Sequence, residues 1–323
     1  MSRSVSVALC TYNGAAYLGD QLSSILEQSV PPAEIVIADD GSTDGTLELI
    51  EGVIAAGPAV SIRLLRGVAP LGVTRNFERA IRATTGDLVV LCDQDDVWHP
   101  DRVAVALRDF EASPGLLLWH SDARLVDGAG ADLGFGLFES LALTSADIAE
   151  INDGDALAVY IRRNLVTGAT AVIDRRLLSA ALPFPDAWVH DEWLGAIAAA
   201  TGRVHVSTTA SIDYRQHSTN QIGVVRPTLR HRIGRMLEPR GDRYAILAAR
   251  AEALVRRLET VGDHPAALRL AERKLEFEVE RARYPQTRLA RVRPVLRRLR
   301  SGSYRELSSQ GTLDVVRDII QPA

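Results

Sequence analysis

Apolar and polar positions alternate along the first 120 residues with two distinct periods. Val5–Cys10 is a short, nearly continuous apolar run of strand length. Tyr17–Gln28 then places Leu18, Leu22, Ile25 and Leu26 on one face at helical spacing. Pro31-Pro32 closes that helix and leads into a second strand, Glu34–Ala38. The turn Asp39-Asp40-Gly41-Ser42-Thr43-Asp44-Gly45 carries hydroxyls suited to capping a helix, whose stripe is Leu47, Ile50, Val53 and Ile54. Val60–Leu65 predicts a third strand. Asn76–Ala83 predicts a third helix with Phe77, Ala80 and Ile81 inward. Asp87–Cys92 predicts a fourth strand, almost unbroken in its apolar character, as interior parallel strands are.

Strands alternating with helices in this way imply an α/β fold: a mainly parallel open sheet with helices on both faces. Past residue 115 the pattern is less regular. Gly115–His120 and Gly168–Ile173 read as strands, and Asp191–Thr201 as a helix ending at Gly202. Residues 127–154, rich in Gly, Asp and Ala, read as loop with short helices. After Pro227 the chain becomes helical, with Ile246, Ala249, Ala253, Leu254, Arg257 and Leu258 in register. A boundary near 225 therefore separates an α/β domain, 1–225, from a helical region, 226–323.

Composition narrows the class. With 46% apolar and 24% charged residues over 323 positions, the chain is neither disordered nor fibrous. No apolar run reaches the roughly 18 to 20 residues of a membrane-spanning helix. The apolar stretch at the N-terminus is too short for a secretory signal and reads as the first strand. Cys10 and Cys92 both lie in strand-like runs, which points to buried thiols and a reducing cytosol rather than a disulfide framework or a cysteine metal site.

Charge is unevenly distributed. Residues 1–225 carry 15 Lys and Arg against 29 Asp and Glu, a net of −14, whereas residues 226–305 carry 21 against 9, a net of +12. The basic block is almost all arginine, since Lys274 is the one lysine in the chain. Arg226, Arg230, Arg232 and Arg235 open it, and Arg293, Arg297, Arg298 and Arg300 close it. Three readings compete: a solvated helical face with acidic residues of the body as partners, attraction to an anionic membrane surface or lipid-diphosphate acceptor, and nucleic acid; an amphipathic stripe would also suit a helical dimer interface. Nucleic acid is disfavoured, because no aromatic residues interleave with the arginines and no known binding module is present.

In open parallel sheets the ligand crevice lies beyond the carboxyl ends of the strands. Thr11-Tyr12-Asn13-Gly14 ends the first strand, Asp39-Asp40 the second, and Asp93-Gln94-Asp95-Asp96 the fourth. Carboxylates gathered on one edge repel one another unless a cation sits between them. A divalent ion with oxygen ligands, Mg²⁺ or Mn²⁺, is the economical occupant.

These three segments, with Val97-Trp98 after the last, resemble family 2 glycosyltransferases of the GT-A fold over about residues 4–225. His190-Asp191-Glu192-Trp193 resembles the family's catalytic-base segment. Tyr214-Arg215-Gln216-His217-Ser218-Thr219-Asn220-Gln221-Ile222-Gly223 is similar to a segment of the bacterial rhamnosyltransferase-like branch. The resemblance implies that the first loop and the Asp39-Asp40 pair hold the nucleoside, with Asp40 preferred for contact, Asp39 as support, and Thr11 and Asn13 touching base or ribose. Arg75, Asn76 and Gln94 join the donor-binding candidates. It implies Asp95 as the first choice of metal ligand, Asp93 on the ribose or a metal-bound water, His217 as a further ligand, and Asp96 behind the metal or facing the sugar. Thr167 and Gly168 match the family's sugar-side loop. Asp191 is the implied base; where the family often has Glu-Asp, this chain has His190-Asp191, so His190 either orients the carboxylate or meets the acceptor. Trp188 and Trp193 are candidates for stacking on a sugar face.

The expectation is a cytoplasmic, metal-dependent, inverting glycosyltransferase, with peripheral association at the inner membrane face. It would move a sugar from a dTDP- or UDP-sugar donor, rhamnose by resemblance, to a bacterial glycan or its lipid-linked precursor. A UDP-hexose or UDP-N-acetylhexosamine donor is the nearest alternative. A nucleotidylyltransferase would want a glycine-rich basic phosphate loop that Thr11–Gly14 is not. A non-catalytic nucleotide-sugar binder would bind without turnover.

Overall fold

The computed structural model describes residues 3–217 and 239–322. The expected alternation is present as β1 (Val5–Thr11), α1 (Leu18–Leu26), β2 (Glu34–Asp39), α2 (Thr46–Ala55), β3 (Ser61–Arg66), α3 (Val73–Ala83) and β4 (Leu88–Cys92). Helix α1 buries Leu18, Leu22 and Ile25 completely or nearly so. Each such side chain contributes about 1.5–3 kcal/mol relative to exposure. Helix α3 starts three residues earlier than expected, because the backbone N–H groups of Leu71 and Gly72 are held by Asp40 just before it.

The remaining strands are β5 (Val97–Trp98), β6 (Leu116–Ser121), β7 (Arg124–Asp127), β8 (Asp132–Gly136), β9 (Ala171–Asp174), β10 (Arg203–Ser207) and β11 (Ile212–Gln216). The main sheet runs β10-β6-β9-β4-β1-β2-β3. All its pairings are parallel except those of β9, which is antiparallel to β4 and β6. Every residue of β4 and nearly every residue of β1 and β2 is buried, so both faces of this part of the sheet are covered. This is the α/β architecture with a mainly parallel open sheet that the sequence implied.

The direction of β9 matters for the site. A strand antiparallel to β4 begins where β4 ends, so Gly168–Thr170 is delivered to the carboxyl edge. Those three residues form a 3₁₀ turn rather than the first half of a strand, and the strand proper starts at Ala171. A second sheet, β5-β11-β7-β8, was not expected. It includes β8, within the stretch expected to be loop and short helices. It also aligns β11 antiparallel to β5, and so carries Arg215 and His217 back to the acidic loop that precedes β5.

Of the longer helices, α4 (Arg102–Ala112) and α5 (His190–Thr201) belong to the first part, and α6 (Arg243–Val261), α7 (Pro265–Ala282), α8 (Arg288–Arg300) and α9 (Thr312–Ile320) follow in the C-terminal region. Leu254, Val255 and Leu258 of α6 and Ala267 and Ala271 of α7 join the main hydrophobic core. Phe277, Tyr284, Val295, Tyr304, Leu307 and Val315 form a second, separate core. The expected stripe on α6 is rotated. Ile246 is 53% exposed, and the buried residues are Tyr244, Ala251, Leu254, Val255 and Leu258. Arg257 of that stripe does face inward, over the Trp193 ring, and Arg250, outside it, joins it over the Trp188 ring. The point near 225, Ser218–Gly223, and Arg226, Arg230, Arg232 and Arg235 lie outside the described residues.

Candidate active site

The first three strand ends are laced together by side chains that sequence alone offered as ligand contacts. Asp39 is fully buried. Its carboxylate accepts from the backbone N–H of Gly41 (3.0 Å) and Ser42 (2.9 Å), and from the hydroxyls of Thr11 (2.9 Å) and Ser42. Thr11 is 2% exposed and its hydroxyl is spent on that contact, so it shapes the loop rather than facing a nucleoside. Asn13, in the left-handed region at φ 50°, accepts from the Thr43 N–H through Oδ1 (2.8 Å). Asp40 accepts from Leu71 (2.8 Å) and Gly72 (2.9 Å), one oxygen each.

Gln94 departs from its expected donor-binding role. Its Oε1 accepts from the Tyr12 N–H at 2.8 Å and its Nε2 donates to the Tyr12 carbonyl at 3.1 Å, which ties the first loop to the acidic one. Gly14 is required there, because a Cβ would stand 2.2 Å from Gln94 Oε1. Asn76 is likewise internal: buried on α3, it donates to the Ala38 carbonyl at 2.7 Å. Arg75 spends its guanidinium on Glu78, Asp186 and the Phe184 carbonyl.

The acidic loop gathers like charge. Burial, then the charges of Asp95 and Asp191, push the Asp93 carboxyl up to about 7. Asp96, 1% exposed, is also pushed well up by burial and by Asp95 and Asp93, although it accepts from the Arg215 N–H at 3.0 Å. Asp95 contacts His217 Nε2 at 2.8 Å, and the His217 ring stacks on Tyr17 with centroids 4.6 Å apart. Two cations that sequence reading passed over stand beneath this group. Arg215 donates through Nε to the Asp95 carbonyl (2.9 Å) and through Nη1 to the Gly128 carbonyl (3.1 Å). Arg102, 1% exposed, lies over the Trp98 ring at 4.1 Å, and its charge opposes the rise of Asp93 and Asp96. Arg102 follows the acidic loop at a spacing that carries no motif. Arg215 sat unassigned within a segment singled out for its histidine.

Among the described residues no three His, Cys, Asp or Glu side chains converge as a ready metal cage, so Asp93, Asp95 and His217 do not form a three-donor cluster. The Asp95–His217 pair, with Asp93 close enough for its charge to be felt, nevertheless suits a hard divalent ion that takes its other ligands from phosphate oxygens and water.

Asp191 stands at the start of α5. One oxygen accepts from the Gly168 N–H at 2.9 Å and the other from the Glu192 N–H at 2.7 Å. A Cβ on Gly168 would stand 2.9 Å from His190 Nε2, so glycine lets the 3₁₀ turn reach the carboxylate. Thr167, next to it, accepts through its carbonyl from the Thr170 N–H at 3.0 Å. His190 does not orient Asp191. It stacks on Phe77 with centroids 3.9 Å apart, burial depresses its pKa, and neither ring nitrogen has a hydrogen-bond partner among the described residues. Trp193 is fully buried and donates to the Ala181 carbonyl at 2.7 Å, so it packs the core and offers no face to a sugar. Trp188 is covered by Arg250, 4.2 Å above its ring.

Residues 6–121 match the family model described as glycosyl transferase family 2. The dTDP-rhamnosyl transferase RfbG of Shigella flexneri is 28% identical over 229 residues, 67% of this chain and 73% of that protein. The structure of S. aureus TarS 1-349 in complex with UDP-GlcNAc has a TM-score of 0.62 at 15% identity, covering 97% of this chain and 89% of that one. The mannosyltransferase PcManGT of Pyrobaculum calidifontis, in complex with GDP-Man and Mn²⁺, has a TM-score of 0.55 at 19% identity, covering 98% and 84%.

Proposed function

We propose that this chain, which belongs to glycosyl transferase family 2 through residues 6–121, is an inverting transferase with Asp191 as its base. The observation that carries the reading is the placement of Asp191. Its two oxygens are fixed by backbone N–H groups, while its charge acts on Asp93 across the carboxyl edge. A single carboxylate fixed opposite a leaving-group site fits direct displacement: Asp191 takes the proton of the acceptor hydroxyl as that oxygen attacks the anomeric carbon, whose configuration inverts.

Donor binding falls to the loops. In this reading Asp40 contacts the nucleoside, with Asp39 holding the loop after β2 in shape. Gln94 keeps the first loop against the acidic one. Asp95 and His217, with Asp93 alongside, would hold Mg²⁺ or Mn²⁺, which supplies positive charge against the departing diphosphate. PcManGT with GDP-Man and Mn²⁺ supports the class of cofactor, and the name of the Shigella relative supports dTDP-rhamnose as donor. The acceptor in this reading is a hydroxyl of a cell-surface glycan or its lipid-linked precursor, met at the cytoplasmic face of the membrane. No helix among the described residues is long and apolar enough to cross a membrane.

Asp191→Asn is the test. Sugar transfer should fall by about 10²- to 10⁴-fold, the scale of losing a general base, while binding of dTDP or UDP with Mn²⁺ stays intact. Transfer at the normal rate would remove Asp191 from the role.

A further inference from the structure

Helix α8 sorts its arginines by face. Arg291 points inward and donates to the carbonyls of Pro285, Gln286 and Gln321. Arg297 and Arg298 turn to α7, where Glu276 and Glu280 neutralise them. Arg293 and Arg300 are exposed and have no hydrogen-bond or ion-pair partner among the described residues. They share a stripe with Leu289 and Leu296, because 289, 293, 296 and 300 follow the i, i+4, i+7, i+11 spacing of one helical face. Leu289 is 89% exposed, and Leu296 is exposed as well. A single surface leucine is ordinary. Two in register with two unpaired cations, along about 16 Å of helix, make a patterned face. The neighbouring helix extends it, since Leu313 and Val316 of α9 are also exposed. Val295 of α8 and Val315 of α9 enter one core, so both stripes turn away from it, and Leu299 and Thr312 line one cleft where the two helices meet.

Charge decides what suits this face. A second copy meeting it face to face would set Arg293 and Arg300 against like charge. An anionic bilayer supplies both complements: phosphates for the guanidinium groups and acyl chains for the leucines. The α/β part, with a net of −14 over residues 1–225, is repelled by such a surface, so the field of the whole molecule turns the helical region toward it. We infer that the stripe Leu289, Arg293, Leu296 and Arg300, extended by Leu313 and Val316, docks the protein on an anionic lipid surface. The purpose of such docking rests on the proposed reading, in which the acceptor is met at the membrane; its geometry does not.

The test is sedimentation of the full-length protein with vesicles of equal parts phosphatidylglycerol and phosphatidylcholine, and with vesicles of phosphatidylcholine alone. Wild type should bind the mixed vesicles at least about tenfold more tightly than the neutral ones, and less tightly as salt rises. Arg293→Gln with Arg300→Gln should weaken binding to the mixed vesicles by about tenfold or more. Leu289→Ser with Leu296→Ser should do the same by removing the apolar contact. Arg108→Gln with Arg256→Gln takes the same charge from exposed sites on α4 and α6 and should leave binding within about twofold. All four stripe positions are exposed, so these variants should keep the wild-type thermal midpoint. Should the leucine pair fail to fold, the arginine pair carries the test. Docking through this stripe is refuted if wild type ignores the mixed vesicles or binds the neutral ones equally well. It is also refuted if the folded stripe variants bind as wild type does, or if the charge-matched pair loses as much. Wild type that self-associates without lipid, and dissociates on Leu289→Ser with Leu296→Ser, would assign the face to a second copy and equally refutes it. Binding of dTDP or UDP with Mn²⁺ separates the two levels. Intact nucleotide binding beside failed docking rejects the stripe alone, and docking by a protein that binds no nucleotide rejects the transferase reading alone.

Discussion

The molecule holds two buried gatherings of ionisable side chains, built on opposite principles. In the C-terminal cluster Asp318 and Glu278 enclose Arg281, and Lys274 pairs with Glu278. Tyr244 and Tyr304 donate their hydroxyls to Asp318. Arg281 Nε lies 2.8 Å from Asp318, and that partner together with the two hydroxyls holds the Asp318 carboxyl below its ordinary range despite burial. At the carboxyl edge of the main sheet, Asp93, Asp95 and Asp96 face one another, and two of them are pushed up instead. The same residue type is thus driven in opposite directions by whether the fold supplies a partner. The C-terminal cluster is electrostatically complete in the protein alone. The rim, in the proposed reading, is completed by a bound cation.

Three experiments would break or sharpen this contrast. The largest stability effect should come from Asp318→Asn, which removes a partner from a buried pair and leaves Arg281 short of charge. A loss of about 3–5 kcal/mol is expected on chemical denaturation, and a loss under 1 kcal/mol would mean that the cluster is not the anchor of the region. The pH response comes next. Asp318, whose folded pKa is depressed, contributes stability that is present above its ordinary value of 3.8 and is lost as pH falls below it. Asp93, whose folded pKa is raised, contributes stability that is fully present below 3.8 and is lost as pH climbs through about 7. Metal-free protein should therefore lose thermal stability between about pH 4 and 7 through Asp93, and Asp93→Asn should flatten that slope. Mn²⁺ with a nucleoside diphosphate should flatten it as well. The smallest effect belongs to Arg297→Ala. Arg297 is exposed and pairs with Glu280 on the surface of α7, so its loss should cost at most about 1 kcal/mol.

What could be read from the chain follows the range over which each signal acts. Strands β1, β2 and β4 and helices α1–α3 announce themselves because their apolar periodicity is local and their neighbours in sequence are their neighbours in space. The two-residue β5 and its partner β11 are more than 100 residues apart, and no local period marks that pairing. The acidic rim was legible as a set of residues but not as a division of labour. Thr11, Gln94 and Asn76 carry groups as fit for a ligand as for a backbone carbonyl or N–H, and only the packed loops show that they spend those groups internally. The stripe on α6 was misread for a related reason. A guanidinium that stacks on tryptophan can be buried as readily as an isoleucine, so polarity alone did not reveal that Arg250 points inward while Ile246 points out. Part of the basic block is structural too. Arg240, Arg281 and Arg291 are buried, and Arg298 pairs with Glu276 and Glu280 of the same region rather than with the acidic body. The surface left for a membrane is correspondingly smaller than the net charge suggests.

The central claim is that the rim carboxylates bind a divalent ion together with a nucleoside diphosphate. Calorimetric titration of dTDP and UDP into the full-length protein, with Mn²⁺ and then with EDTA, addresses it directly. The account predicts saturable binding of at least one nucleotide with Mn²⁺, weakened at least about tenfold by EDTA or by Asp95→Ala, a change of about 1.4 kcal/mol. Equal affinity with and without the metal, or no binding of either nucleotide, would contradict it.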